Sequence, residues 1–84
     1  MKRKEVINRL KEILEQKFVS VSDEYILNQY KNLRDWLAID GTPLKLITEI
    51  KDYGINCYGS LMLQIVLETY DDFDFACVEY SILI

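Results

Sequence analysis

Leu61-Met62-Leu63-Gln64-Ile65-Val66-Leu67, followed by Ala76-Cys77-Val78-Glu79-Tyr80-Ser81-Ile82-Leu83-Ile84, decides the fold. As a helix, the first segment would be apolar all round. As a strand, it places Leu61, Leu63, Ile65 and Leu67 on one face with period two, and the second segment does the same with Ala76, Val78, Tyr80, Ile82 and Ile84. Both core faces must point the same way. One set is odd-numbered and the other even-numbered, so opposed positions must sum to an odd number. The predicted pairs are Leu67/Ala76, Ile65/Val78, Leu63/Tyr80 and Leu61/Ile82. The connection is either a two-residue turn at Asp71-Asp72 or a four-residue loop, Tyr70 to Phe73. The outer face is then Met62, Gln64, Val66, Glu68 and Tyr70 against Phe75, Cys77, Glu79 and Ser81, a mixed surface. A hairpin alone is marginal, so a third strand (Gly54 to Tyr58 is a candidate) or a second copy of the chain is expected beside it.

Upstream the periodicity is helical. Val6, Ile7, Leu10, Ile13, Leu14 and Phe18 share one face of a helix over Arg3 to Phe18, with i,i+4 pairs Glu5–Arg9 and Lys11–Glu15. Ser20 or Ser22 caps a second helix. Asp23 and Glu24 sit in its first turn, where the dipole favours negative charge, and Ile26, Tyr30, Leu33 and Leu37 form its apolar stripe. Leu27 flanks this stripe on one side, Tyr25 and Trp36 on the other. Asp40-Gly41 ends that helix. Thr42-Pro43 then suggests the start of a third, with Leu46, Ile47, Ile50 and Tyr53 on one face and Gly54 as its C′ residue. The rival for residues 43–53 is a strand, since Leu44, Leu46 and Ile50 also alternate. The expected fold class is α+β: three N-terminal helices packed on a C-terminal antiparallel β-hairpin, in a single domain spanning residues 1–84.

The chain has 84 residues, half of them apolar, and 29% charged, the composition of a folded domain with a small core. Its basic start, Met1-Lys2-Arg3-Lys4, precedes a periodic helix without a continuous apolar core, so no signal peptide is expected. No stretch is long and apolar enough for a transmembrane helix. Cys57 and Cys77 read as reduced thiols, which suits a cytoplasmic protein. The richness in Lys, Ile, Tyr and Asn suits an AT-rich bacterial or phage genome.

Charge is divided unevenly. From Asp52 to Ile84 there is no lysine or arginine, and six acids: Asp52, Glu68, Asp71, Asp72, Asp74 and Glu79. All ten bases lie in the first 51 residues beside eight acids, so the net −4 is a +2 half joined to a −6 half. This asymmetry speaks to partners rather than to fold.

Catalytic signatures are missing. With no histidine, the commonest general base and metal ligand are gone. Ser60, Cys57 and Cys77 have no evident base, and no glycine-rich phosphate loop occurs. Asp71-Asp72-Phe73-Asp74 offers carboxylates to Ca²⁺ or Mg²⁺ but lacks the glycine and the bidentate glutamate of an EF-hand, so no metal is expected. The three N-terminal charges are a solvated helix start, and no direct nucleic-acid contact is expected. Among the tyrosines, Tyr25, Tyr30 and Tyr53 fit helix flanks or core and Tyr80 the hairpin core, leaving Tyr58 and Tyr70 for an interface.

Asp52-Tyr53-Gly54-Ile55-Asn56-Cys57-Tyr58, followed by Leu61 to Phe73-Asp74-Phe75, resembles acyl carrier proteins. That family shows D-L-G-x-D-S-L, an apolar helix and E-E-E-F-D-I, and its serine carries phosphopantetheine. Here Cys57 stands at the serine and Asn56 at the aspartate; if Ser60 is taken instead, Gly59 replaces the aspartate. The resemblance implies a helix where alternation implies a strand, and it departs from the family at the modified position, so no cofactor is expected.

Small acidic chains of this kind include immunity proteins, antitoxins and phage anti-defence inhibitors such as anti-CRISPR proteins, an analogy of size and charge. The expectation is a non-catalytic module that occludes a basic cleft on a target protein, a nucleic-acid-binding enzyme being one candidate. Tyr58, Glu68, Tyr70, Asp71, Asp72, Phe73, Asp74 and Phe75 would make the contact. The alternative is a self-assembling homo-oligomer, such as a homodimer through the hairpin.

Overall fold

The computed structural model describes residues 1–18, 20–39, 41–68 and 75–83, with the backbone alone at 75 and 76. The chain forms two compact units, Met1–Leu44 and Lys45–Ile84. The class is α+β, with two helices followed by a three-stranded antiparallel sheet.

The first unit contains α1 (Arg3–Lys17) and α2 (Asp23–Ile39). Four members of the first predicted stripe, Val6, Leu10, Ile13 and Leu14, are fully buried; Ile7 and Phe18 are half-buried. The Glu5 carboxylate accepts the Lys2 amide at 3.1 Å, satisfying one donor at the α1 N-terminus. Arg9 pairs with Glu12 at 3.1 Å, and Lys11 reaches Glu15 at 4.0 Å. Both pairs are exposed and add little.

At the start of α2, Ser22 rather than Ser20 is the cap: its Oγ accepts the Tyr25 amide at 3.1 Å. Ile26, Tyr30, Leu33 and Leu37 are all buried, as the stripe requires. The Tyr30 ring has the guanidinium of Arg3 at 5.6 Å and that of Arg34 at 5.8 Å from its centroid. Both are within cation–π range; the Arg3 contact ties the start of α1 to the middle of α2, and the Arg34 contact lies within α2. The helix ends as Asp40-Gly41 suggests. The amides of Gly41 and Thr42 donate to the carbonyls of Ala38 and Leu37, both at 3.0 Å, while Gly41 takes φ +71°. This is a Schellman ending, which needs a residue tolerant of the left-handed region.

The predicted third helix does not form. Residues Leu44–Leu46 make one 3₁₀ turn, and Ile47–Ile55 is strand β1. The third strand therefore exists, but it begins seven residues before the expected Gly54 and ends at Ile55. Two bulges explain the misreading. Between the pairs Ile47/Leu67 and Glu49/Val66, and again between Asp52/Leu63 and Ile55/Leu61, β1 carries one residue more than its neighbour. The first bulge puts the two buried residues of β1, Ile47 and Ile50, three positions apart, which is helical spacing in a strand. At the second, Gly54 takes φ +82° and its amide donates to Asp52 Oδ1 at 2.7 Å. Gly54 is thus a bulge glycine, not a helix C′ residue.

β2 (Ser60–Glu68) is central, and β3 (Phe75–Leu83) lies on its other side, giving the order β1-β2-β3. All four predicted pairs are observed: Leu67/Ala76, Ile65/Val78, Leu63/Tyr80 and Leu61/Ile82. Leu61, Leu63, Ile65, Leu67 and Ile82 are buried, and this apolar face is continued by Ile50 opposite Ile65. The turn or loop proposed at residues 70–73 lies outside the described residues.

Candidate protein-binding surface

The surface is built from the sheet unit, beginning at the β1–β2 connection. Asn56 organises that turn. Its backbone amide donates to the Ser60 carbonyl at 2.9 Å, and its carbonyl accepts the Gly59 amide at 3.1 Å. Its side-chain Oδ1 accepts the amides of Tyr58 at 2.9 Å and Ser60 at 3.0 Å, and its Nδ2 donates to Met62 Sδ at 3.4 Å. Gly59 takes φ +80°, so Cys57-Tyr58-Gly59 is a three-residue loop closed by a left-handed glycine. The result is a fixed platform with Tyr58 at its apex, 88% exposed, beside an exposed Cys57 thiol. Asn56→Ala removes the Oδ1 acceptor shared by the Tyr58 and Ser60 amides and is expected to cost about 1–2 kcal/mol. Urea denaturation reads the loss; an unchanged midpoint would show that Asn56 does not hold the turn.

Exposed apolar side chains gather at this end of the sheet. Tyr53, Ile55 and Tyr58 belong to β1 and its turn, and Leu83 lies on β3 opposite Ser60. Tyr53 is held upright by its hydroxyl, which donates to Gln64 Oε1 at 2.8 Å. Across the outer face run two rows: Glu49–Val66–Cys77, and Lys51–Gln64–Glu79. Tyr53, Asn56, Met62, Leu63 and Glu79 line a depression of about 210 Å³, below the range of small-molecule pockets, about 300–1,000 Å³. Tyr80, on the opposite face, is half-buried, and that burial raises its phenol above the ordinary value, so it stays neutral at physiological pH.

The predicted contact residues are not all brought together. Tyr58 is on the β1–β2 turn. Glu68 is exposed at the far end of β2, where its backbone pairs with that of Phe75. Eight residue steps along β2 separate the two ends, about 26 Å at ~3.3 Å per residue. Tyr70, Asp71, Asp72, Phe73 and Asp74 lie outside the described residues, in the segment joining Glu68 to Phe75. The candidate surface thus has two ends, one aromatic and one entered through Glu68. Tyr53, Ile55 and Leu83 were not foreseen as surface groups. Leu83 was legible from parity, being odd-numbered in a strand whose even positions face the core. Tyr53 was hidden by the helical reading of 43–53.

Both cysteines are unpaired, as expected. The acyl-carrier reading fails on structure: the segment after Cys57 is strand β2 instead of a helix, and Ser60 is 6% exposed at its start. Among the described residues no helix is long and apolar enough to cross a membrane. Compared with known proteins, the chain matches no family model, no curated protein and no solved structure.

Proposed function

We propose that this chain is a small non-catalytic protein-binding module, of the inhibitor or immunity type, whose sheet unit covers a basic cleft on a target protein. One observation carries the reading: the charge asymmetry follows the division of the chain into units. Met1–Leu44 holds eight bases and seven acids, net +1. Lys45–Ile84 holds two bases and seven acids, net −5; the two sum to the −4 of the whole chain. The acidic unit also carries Tyr53, Ile55, Tyr58 and Leu83, four of the six large apolar side chains most exposed among the described residues. Carboxylates steer a basic partner into encounter, and aromatic and aliphatic groups supply contact area once water is expelled. Tyr58, Glu68, Phe75 and the segment Tyr70-Asp71-Asp72-Phe73-Asp74 are the proposed contact residues. Because Tyr58 stands at the opposite end from Glu68, a target must span the sheet to engage both.

Affinity capture from the source cells, washed at low and at high salt, tests this. The expected result is one basic protein, retained at low salt and released at high salt, and not retained by bait carrying Asp71→Lys, Asp72→Lys and Asp74→Lys. Retention that ignores both salt and those changes would sink the proposal.

A further inference from the structure

The two edges of the sheet are not alike. β1 is blunted by the devices that keep an edge from pairing: two bulges, a glycine at φ +82°, and the charges Glu49, Lys51 and Asp52. β3 has none of these. It pairs with β2 in unbroken register from Phe75 to Leu83 and contains no proline, glycine or lysine and one charge, Glu79. Among the described residues no strand lies on its outer side. Cys77, Glu79, Ser81 and Leu83 are exposed along it, with Leu83 84% accessible. A long, regular, nearly uncharged edge is a template for another strand.

The geometry points to a second copy of this chain as the occupant, pairing β3 with β3 antiparallel about a two-fold axis normal to the sheet. Such an axis relates residue i to residue j with an even sum, so odd positions meet odd and even meet even. The buried-side face of one copy then continues into that of the other without a register conflict. Charge selects the centre. An axis at Glu79 would oppose Glu79 to itself, which is unfavourable. An axis at Tyr80 opposes Glu79 to the partner's Ser81, Val78 to the partner's Ile82, Cys77 to the partner's Leu83, and Tyr80 to its own counterpart. This register aligns seven residues from each copy, covers Leu83, and makes about six to eight backbone hydrogen bonds. An axis at Val78 also aligns seven but leaves Leu83 uncovered and sets Glu79 against a cysteine. The product is a six-stranded sheet, β1-β2-β3-β3-β2-β1, closed at both ends by blunted edges. It forms independently of any basic partner.

The test is light-scattering mass and sedimentation equilibrium on the wild-type chain and two variants, up to roughly 100 μM, where a dimer of micromolar Kd is well populated. The wild type is expected to reach the mass of two chains. Ser81→Lys sets a cation opposite the partner's Glu79 at two symmetric places, and Ser81→Glu sets like charges there. At about 0.2–1 kcal/mol per pair, dimerisation should tighten by about 2- to 30-fold in the first and weaken by a similar factor in the second. Ser81 is exposed, so both variants should fold; a matching circular-dichroism spectrum checks this. A wild type that stays monomeric at roughly 100 μM overturns the inference. So do variants that shift in the same direction or not at all, because an edge contact in any other register lacks the Glu79–Ser81 pair.

Discussion

Ile65→Ala is expected to destabilise the protein by about 2–5 kcal/mol. Ile65 is at the centre of the middle strand, fully buried, with Ile50 opposite on β1 and Val78 opposite on β3. Truncation removes its burial and leaves a cavity that neighbours on both flanking strands can only partly fill. For 84 residues the whole stability is on the order of 4–13 kcal/mol, so the loss is a large share of the total. One position earlier the side chain points the other way. Gln64→Ala deletes an exposed hydrogen bond to Tyr53 and should cost about 1 kcal/mol or less. Urea denaturation of both proteins reads the difference. Equal costs would contradict the register of the sheet.

Reversing charge at Asp71, Asp72 and Asp74 to lysine is expected to slow association with the target by tenfold or more. The three changes convert a net −4 into +2, replacing attraction toward a basic cleft with repulsion at the place where contact is proposed. Steering acts mainly on the encounter, so the association rate should carry most of the effect and the dissociation rate less. Reversing three acids of the helical unit, Glu12, Glu15 and Glu24, produces the same net charge and is the control. If the acidic sheet unit is the contact, this control slows association far less. Equal slowing by both sets would mean that overall charge matters and the proposed location does not.

Much of this fold was legible in the chain, and for identifiable reasons. The α1 and α2 stripes were readable because regular helices keep a constant period, and the stripe residues Ile26, Tyr30, Leu33 and Leu37 are all buried. The β2–β3 register was readable because the side-chain period of a strand is two and both faces had to agree; parity alone fixed four pairs. Residues 47–55 were not readable by the same rule. Each bulge inserts one residue and advances the pattern, so Ile47 and Ile50 imitate a helix turn, and the Thr42-Pro43 start together with Gly54 completed the imitation. The acidic asymmetry was visible in the composition, but its match to a structural unit was not. The aromatic end of the surface was half visible: Tyr58 stood out as surplus to the core, whereas Tyr53 was absorbed into a helix that does not exist and Ile55 was read only as part of a short candidate strand, Gly54 to Tyr58.

The most direct test of the account is the association rate of the wild-type chain with its captured target as ionic strength rises from about 0.02 M to about 0.5 M, where screening shortens from roughly 20 Å to a few ångströms. The account predicts a fall of tenfold or more across that range, largely abolished in the chain carrying Asp71→Lys, Asp72→Lys and Asp74→Lys. A rate that does not change with salt in the wild type would contradict recognition through the acidic sheet unit.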